Sequence, residues 1–384
     1  MSHHFDANTC SLYIHWPFCP YRCSFCPFVA LAGHDQFMSQ YHKALLTEID
    51  LYAQRLDSKP VLKTIFFGGG TPSTYPEDLL LDMFAKLKEK FDICDQAEVS
   101  IEVNPGTVDE QKLAFFKKVG INRLSIGVQS LKDPVLKRLN RLQSSKDVLG
   151  LLGVAEQYFE NISVDLILGL PGVRKREWEE LLQKVVSWPL KHISIYFLTI
   201  HSNTRLKFQI QQKKVELPSD AYVVDSYHWS VRFLKRYGFA QYETSNFAQR
   251  GYECKHNLVY WERRPYKGFG LGACSFDGKV RFENKKNLID YLDCLKDEKD
   301  CTALKEVLNE QQVRLEKIML GLRRSSGISV KFLFENVSQE KKRRLQEIIR
   351  GLKSNEYIQQ VGDNLLLTVK GFVLQNDIAV RLSL

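Results

Sequence analysis

Six short apolar runs alternate with amphipathic stretches between residues 12 and 198, and this alternation constrains the fold most strongly. The runs have the length of buried strands, and the stretches between them have helical periodicity. Strands that alternate with helices favour a parallel sheet with right-handed crossovers. We therefore predict an α/β barrel or incomplete barrel, with its chemistry at the C-terminal strand ends. The predicted strands cover residues 12–14, 64–67, 99–103, 124–128, 162–168 and 193–198, and the predicted helices cover 37–56, 77–91, 109–119, 146–158 and 176–186.

The pattern changes after residue 198. Residues 209–215 are polar and basic, which predicts a loop or lid, and a helix is predicted over 220–237. Residues 241–274 are rich in aromatic and glycine residues and have little periodicity. Helical periodicity then returns, which predicts a mainly helical, winged-helix-like C-terminal domain. Its helices are predicted at 311–323, 330–334, 339–352 and 370–380, with two short strands around 362–364. The predicted domains are a core barrel at 1–240, a connecting segment at 241–308 and the C-terminal domain at 309–384.

Composition excludes several classes of protein. Of 384 residues, 44% are hydrophobic and 26% are charged, which excludes a mainly disordered chain. No apolar run approaches the roughly 18 residues of a membrane span, and the N-terminus lacks a secretory core. We therefore expect a cytoplasmic protein. The net charge of +9 includes a basic run at 341–344. That run is either a solvated helix face or a contact for an anionic partner.

A cluster of three cysteines follows the first predicted strand. Three prolines within residues 17–27 exclude a continuous helix, so the thiols lie on a loop. A four-iron cluster normally takes four protein ligands, and three would leave one iron open to a substrate or cofactor. A structural zinc site is the alternative, with His15 or His34 as the fourth ligand. The metal-ligating cysteines predicted here are Cys19, Cys23 and Cys26.

The Cys-x3-Cys-x2-Cys spacing resembles the signature of the radical S-adenosylmethionine (SAM) superfamily. The preceding Tyr13-x-His15-x-Pro17 is similar to that of the oxygen-independent coproporphyrinogen oxidase-like family. The resemblance implies an incomplete (β/α)6 barrel, a [4Fe–4S] cluster on the three cysteines, and SAM bound to the open iron. It also implies a low-potential electron donor, such as a flavodoxin or ferredoxin, whose electron cleaves SAM to a 5′-deoxyadenosyl radical.

Further polar residues follow the predicted strands. The glycine turn at 68–70 can bring backbone amides close to a ligand, although such a turn is also common as a structural element. Asp165 lies in an apolar strand, where a carboxylate must be paired or hydrogen-bonded. This chain departs from the family's motifs at Pro27, Gln143 and Val173-Arg174, where many family members have other residues. By resemblance, the SAM site contains Tyr13, Gly69, Gly70, Thr71, Glu102, Gln129, Arg141 and Asp165.

A second motif begins at His256. If this segment is helical, His256 and Tyr260 share one face, with Trp261 beside them. The residues alone allow a haem ligand with stacking aromatics, or a histidine that is hydrogen-bonded in an aromatic corner. The motif His-Asn-x-x-Tyr-Trp resembles that of the HemW-like haem chaperones, which implies haem as a ligand. Phe28 replaces the fourth cysteine of the oxidases and favours the same branch.

The resemblance implies a chaperone that delivers haem to a respiratory haemoprotein, and coproporphyrinogen oxidase activity is not expected. The alternative is a radical SAM enzyme that decarboxylates coproporphyrinogen III, or that methylates or cleaves haem. A nucleic-acid partner for the C-terminal domain is not expected, because winged helices often serve only as packing modules. A peripheral membrane contact stays open.

Overall fold

A computed structural model describes residues 9–383 of the chain. The chain forms two compact units, and each is made from two separate segments. The first unit comprises the chain up to Pro218 together with Arg264–Val307. The second unit comprises Ser219–Arg263 together with Leu308–Leu384. The division at residues 240 and 308 stays a prediction, because compactness alone does not define functional segments.

The helices and strands follow one another in this order. Strands of the first segment are β1 (Thr9–Trp16), β2 (Phe18–Cys19), β3 (Leu31–Ala32), β4 (Val61–Gly69), β5 (Asp92–Val103), β6 (Arg123–Gln129), β7 (Asn161–Leu168) and β8 (His192–Phe197). Its helices are α1 (Met38–Ala53), α2 (Glu77–Lys90), α3 (Glu110–Val119), α4 (Asp133–Arg138), α5 (Ser145–Ala155), α6 (Lys175–Val185) and α7 (Arg205–Gln211). The second segment contains α8 (Asp220–Arg236), β9 (Ala240–Gln241), β10 (Asn246–Ala248) and α9 (Lys255–Trp261).

The third segment returns to the first unit, and the last segment belongs to the second unit. The third contains β11 (Lys267–Phe269), β12 (Cys274–Phe276), β13 (Val280–Asn284), α10 (Leu288–Lys296) and β14 (Thr302–Val307). The last contains α11 (Glu310–Arg323), β15 (Ile328–Ser329), α12 (Val330–Phe334), α13 (Gln339–Ser354), β16 (Ile358–Val361), β17 (Asn364–Leu367), α14 (Val369–Phe372) and α15 (Gln375–Leu382).

A parallel sheet forms the centre of the first unit. Its strands lie in the order β11-β1-β4-β5-β6-β7-β8. The predicted α/β fold is confirmed, and each of the six predicted strands is present, five with wider bounds and the sixth shifted by one residue to 192–197. Strand β11 was not predicted, because three residues are too few to show a period. It pairs with β1 through Leu12 opposite Lys267 and Ile14 opposite Phe269.

Local sequence explains why the sheet is covered by helices. Strand β1 buries Leu12 on one face and His15 on the other, as expected for a parallel strand with both faces covered. Between strands, α3 begins at Asp109, whose side chain accepts a hydrogen bond from the backbone N–H of Lys112. The same helix ends at a left-handed glycine, with φ +110° at residue 120.

The last segment has the winged-helix order that was predicted. Strand β15 pairs with β17, and β17 pairs with β16, all antiparallel. Two predicted segments differ from the structure. The expected loop at 209–215 is helical as far as Gln211, at the end of α7, and non-helical from 212 to 215. The expected helix at 370–380 is broken into α14 and α15, because the Leu374 N–H turns back to the Gly371 carbonyl.

No helix within residues 9–383 is both long enough and apolar enough to cross a bilayer.

Stability should depend on pH through the buried His192 of β8. Its side chain is completely buried and its Nδ1 lies 2.7 Å from the Ser163 hydroxyl. Burial, and secondarily the Arg123 charge, holds the pKa of His192 well below its usual range. As pH falls, the unfolded chain therefore binds a proton on His192 at a higher pH than the folded chain does. We expect unfolding free energy to drop by up to about 1.4 kcal/mol per pH unit for each such histidine below about pH 6.5.

The substitution His192→Asn removes this titrating group and leaves Ser163 a polar partner. Urea unfolding at several pH values from 7.5 to 5 should show a shallower loss of stability than in the wild type. The exposed His201→Asn is the control and should follow the wild-type curve. Identical pH dependence in His192→Asn and the wild type would contradict the expectation.

Candidate functional site

The C-terminal ends of the parallel strands surround a cavity of about 390 Å³ in the first unit. Its volume lies in the range of ligand pockets. Of the predicted cluster and SAM residues, all except Tyr13 contribute to the described lining of this cavity. Those residues are Cys19, Cys23, Cys26, Gly69, Gly70, Thr71, Glu102, Gln129, Arg141 and Asp165.

The cysteine loop is tethered to β1 by His15. Its Nε2 donates to the Val29 carbonyl over 2.9 Å, so in the neutral ring Nδ1 accepts from the Tyr13 hydroxyl at 3.0 Å. Burial lowers the pKa of His15 to about 4, which keeps the ring neutral in this arrangement. Tyr13 therefore orients a residue that holds the far end of the loop.

A chain of hydrogen bonds joins two of the cysteines. The Thr71 hydroxyl donates to Cys19 Sγ at 3.3 Å and accepts from Asn104 Nδ2 at 3.1 Å. Arg141 donates to Asn104 Oδ1 at 3.2 Å through Nη2 and approaches Cys23 Sγ at 3.6 Å through Nη1. These donors would stabilise negative charge on sulfur.

Two of the three thiols are disfavoured as free anions. Burial raises the pKa of Cys19 to about 11, although the Thr71 hydroxyl opposes this rise. Burial also raises the pKa of Cys26. A metal has to displace these protons, since thiolates are the form that binds iron. Within residues 9–383, no three His, Cys, Asp or Glu side chains are grouped to hold a single ion. A cluster distributes its thiolates over several irons and does not require such convergence.

Arg141 is held by a residue that departs from the family motif. Its Nη2 donates to the Gly127 carbonyl at 2.6 Å and to Gln143 Oε1. Gln143 Nε2 in turn donates to the carbonyls of Gly127 and Val128, each at 3.0 Å. Sequence reasoning assigned no role to Gln143 or to Asn104. The position of Asn104 beside a strand end was the signal that could have found it.

The N–H groups of the glycine turn make hydrogen bonds within the protein. The backbone N–H of Gly69 donates to Glu102 Oε2 at 3.1 Å, while those of Gly70 and Thr71 donate to the carbonyls of Trp16 and Phe18. A Cβ on Gly70 would lie 2.3 Å from the Pro17 carbonyl oxygen. These N–H groups are therefore occupied within the protein, and the role of Gly69, Gly70 and Thr71 in holding SAM stays a prediction. The physical reason for glycine is close approach to the cysteine loop.

Two carboxylates face the cavity from β5 and β7, the strands on either side of β6. Burial, and secondarily the charge of Asp165, raises the pKa of Glu102 to about 8. Burial also raises the pKa of Asp165, whose carboxylate accepts a hydrogen bond from the Ser125 hydroxyl at 3.2 Å. Such a pair favours a cationic ligand, because positive charge restores the ionised form of both groups.

Gln129 ends β6 in an uncommon conformation. Its φ is +60°, and its buried Oε1 has no hydrogen-bond partner among the described residues. A strained backbone and an unmet acceptor at a cavity wall are typical of a ligand site. Together with the sulfurs and carboxylates, this side chain fits a charged, polar cofactor.

The His-Asn-x-x-Tyr-Trp motif lies in the second unit, on helix α9. His256 is 1% exposed, and a 2.8 Å hydrogen bond joins its Nε2 to the Tyr260 hydroxyl. Trp261 stacks under the Arg323 guanidinium at 4.4 Å. The structure therefore brings His256 and Tyr260 together as an internal pair, in the manner of the aromatic-corner alternative. Its role as a haem ligand stays a prediction.

Comparison with known proteins shows the family. Residues 13–185 match the profile of the Radical SAM superfamily. A Bacillus subtilis protein named "Heme chaperone HemW" is 34% identical over 375 residues, which cover 96% of this chain and 97% of that protein. The chain belongs to the HemW family. A HemW protein of Lactococcus lactis is 30% identical, with 96% of both chains covered.

A mouse protein and a solved structure extend this comparison. "Radical S-adenosyl methionine domain-containing protein 1, mitochondrial" from Mus musculus is 36% identical over 70% of this chain and 60% of its own length. The structure of coproporphyrinogen III oxidase (HemN) from Escherichia coli superimposes with a TM-score of 0.85 at 22% identity. It covers 100% of this chain and 91% of that protein, and it supports the HemW family's radical SAM fold.

The close approach at Gly70 yields a prediction. Gly70→Ala places a methyl group against backbone atoms that cannot rotate away, so it should destabilise the protein by about 2–3 kcal/mol. Gly150→Ala is the control, because nothing lies within 4 Å of its Cβ position in helix α5. The control should stabilise the protein by up to ~1 kcal/mol. Both values come from denaturant unfolding, and equal stability of the two variants would refute this account of Gly70.

Proposed function

We propose that this protein is a cytoplasmic haem chaperone that binds a [4Fe–4S] cluster and SAM and delivers haem to a respiratory haemoprotein. The observation that carries the proposal is the convergence of three cysteines with the SAM-type residues on one cavity. The names of the HemW relatives support the haem part. A flavodoxin or ferredoxin is the proposed electron donor.

Cys19, Cys23 and Cys26 would hold the cluster as thiolates. When bound, the cluster supplies one-electron chemistry and leaves one iron open. The protein's own contribution is electrostatic: Thr71 donates to Cys19 Sγ, and Arg141 approaches Cys23 Sγ. Hydrogen bonds to sulfur stabilise added negative charge and therefore raise the reduction potential.

SAM carries positive charge on its sulfonium and amino groups, which suits the two cavity carboxylates. Glu102 and Asp165 would lie beside this cation, and Gln129 offers its free amide oxygen. The carboxylates would orient the ligand and the strands beneath them would keep water from its inner side. The glycine turn would act indirectly, since its N–H groups position Glu102 and the cysteine loop.

A radical SAM enzyme acting on a porphyrin is the second candidate. The completeness of the carboxylate, glycine and arginine set favours it, because SAM could then be a true co-substrate. Phe28 argues for the chaperone: it replaces the oxidase cysteine, lines the cavity and is 66% exposed. Haem titration and a coproporphyrinogen assay on the same anaerobically reconstituted sample distinguish the two. Conversion of coproporphyrinogen at a useful rate would overturn the chaperone proposal.

Single replacements test the cluster. Cys19→Ala, Cys23→Ala and Cys26→Ala should each abolish the absorbance near roughly 400 nm that thiolate-bound iron–sulfur gives. Cys94→Ala is the control, because that residue lies on β5 outside the cavity lining, and its variant should keep a full cluster. A full cluster in Cys23→Ala would refute the assignment, as would stoichiometric zinc without iron in the wild type.

The haem motif is tested through the His256–Tyr260 pair. His256→Ala removes the only proposed iron ligand of the motif, so it should change the haem spectrum and weaken haem binding by about tenfold or more. Tyr260→Phe is the matched control, since it removes the hydroxyl that bonds His256 Nε2 and keeps the imidazole. This variant should therefore still bind haem. The cluster absorbance should be unchanged in both variants. An unaltered haem spectrum in His256→Ala would show that the motif is structural.

A further inference from the structure

A second and larger cavity lies in the first unit, away from Cys19, Cys23 and Cys26. It has a volume of about 560 Å³, within the range for ligand pockets, and more apolar than polar surface. Its wall is formed by the last turns of α1, by β13, and by the segment that leads into β14. We call it the α1–β14 cavity. Helix α1 runs antiparallel to β1, so its last turns lie near the N-terminal ends of the strands. The α1–β14 cavity is therefore at the opposite end of the sheet from the cavity lined by Cys19, Cys23 and Cys26, which we call the cysteine cavity.

Apolar side chains give the α1–β14 cavity its walls. Leu51 and Tyr52 project from α1, and Phe282 projects from β13. Each is only partly buried, so the cavity offers apolar surface to a ligand. Aromatic and leucine walls of this kind favour a large, flat, apolar body.

The floor of the cavity is polar but already satisfied. Glu48 accepts hydrogen bonds from the Tyr291 hydroxyl at 2.7 Å, from Asn284 Nδ2 at 2.8 Å and from the Gly270 N–H at 2.8 Å. Lys267 Nζ lies 3.4 Å from Glu48 Oε1, which neutralises the buried charge. The floor is therefore preformed, and its carboxylate needs no hydrogen bond or counter-charge from a ligand.

The mouth of the cavity is cationic. Arg55 forms an exposed ion pair with Asp300, which also lines the cavity, and Lys299 forms one with Asp297. Exposed ion pairs contribute little free energy, so either cation can pair with another anion at low cost. Lys305 lies over the Phe282 ring at 5.8 Å, and no acidic partner for it occurs among the described ion pairs. The lining as a whole has two more cations than anions. An apolar ligand with two carboxylates matches this distribution.

We propose that the α1–β14 cavity is a second tetrapyrrole-binding site. The macrocycle lies against Leu51, Tyr52 and Phe282, and the two propionates meet Arg55, Lys299 and Lys305. The inference rests on the proposed haem function, but it assigns a site separate from the His256 motif. Binding here uses burial and carboxylate pairing and needs no iron ligand.

Metal-free protoporphyrin IX is the probe, because it reports macrocycle binding without iron ligation. Its binding to the full-length, anaerobically reconstituted protein is followed by porphyrin fluorescence. Leu51→Trp fills the cavity and should weaken binding by at least about tenfold. Leu81→Trp, at a leucine that is 56% exposed on α2, is the control and should bind as the wild type does.

A second pair of variants tests the cationic mouth without filling the cavity. Lys305→Glu should weaken protoporphyrin IX binding by about fivefold at low salt and less at high salt. Lys88→Glu on α2 changes the net charge equally and should have no effect. Palmitate, with one carboxylate and no macrocycle, should not displace the porphyrin at equal concentration.

The outcomes separate this inference from the proposed function. If the wild type binds haemin or protoporphyrin IX and neither Leu51→Trp nor Lys305→Glu weakens protoporphyrin binding, the second site is wrong while the haem function stands. Displacement by palmitate would also overturn the tetrapyrrole assignment. If the wild type binds no tetrapyrrole at all, both proposals fall. Retained protoporphyrin binding in His256→Ala, lost on adding Leu51→Trp, is the result we expect.

Discussion

The backbone contact between the glycine turn and the cysteine loop is the constraint on which the cavity depends. The N–H groups of Gly70 and Thr71 donate to carbonyls just before and within the loop, at Trp16 and Phe18. Only glycine leaves room at residue 70. Because this contact places Thr71, its hydroxyl reaches Cys19 and begins the hydrogen-bond chain to Asn104 and on to the arginine beside Cys23. Backbone pairing therefore sets the electrostatics around the sulfurs.

The two cavities of the first unit have opposite charge preferences. The cysteine cavity presents Glu102 and Asp165, whose pKa values are raised by burial. A positively charged ligand beside them would favour their ionised forms. The α1–β14 cavity presents a neutralised floor and a cationic mouth. One end of the sheet therefore suits a cationic cofactor and the other suits a dianionic, apolar ligand. The two proposed sites therefore differ in the chemistry of their linings, and each lining is matched to its own proposed ligand.

Much of this arrangement could be predicted from the sequence, and the limits have physical causes. The parallel strands were predictable because their apolar runs are long and regular, and the convergence of Glu102 with Asp165 followed from the strand-end rule. Side-chain networks were not predictable. Gln143 differs from the residue that is common in the family motif, and nothing in the sequence indicates that its side chain accepts a hydrogen bond from Arg141. Hydrogen bonding of this kind depends on distances between strands that no local pattern encodes.

His256 shows a different limit. The helical spacing correctly placed His256 beside Tyr260, but spacing cannot tell whether the imidazole faces a ligand or a hydroxyl of its own helix. In the structure it meets the hydroxyl, and the ring is buried. An iron ligand at this position would have to compete with that bond.

Strand β11 has a consequence for how the chain matures during synthesis. One edge of β1 pairs with β11, whose residues 267–269 are synthesised after the whole of α8 and α9. Until those residues leave the ribosome, this edge of β1 has no partner strand. Those two helices in turn belong to a unit whose remaining segment is made last. An unpaired strand edge invites association with other chains. The nascent protein therefore exposes β1 through most of its translation, and it depends on rapid completion or on folding assistance more than a chain of sequential domains does.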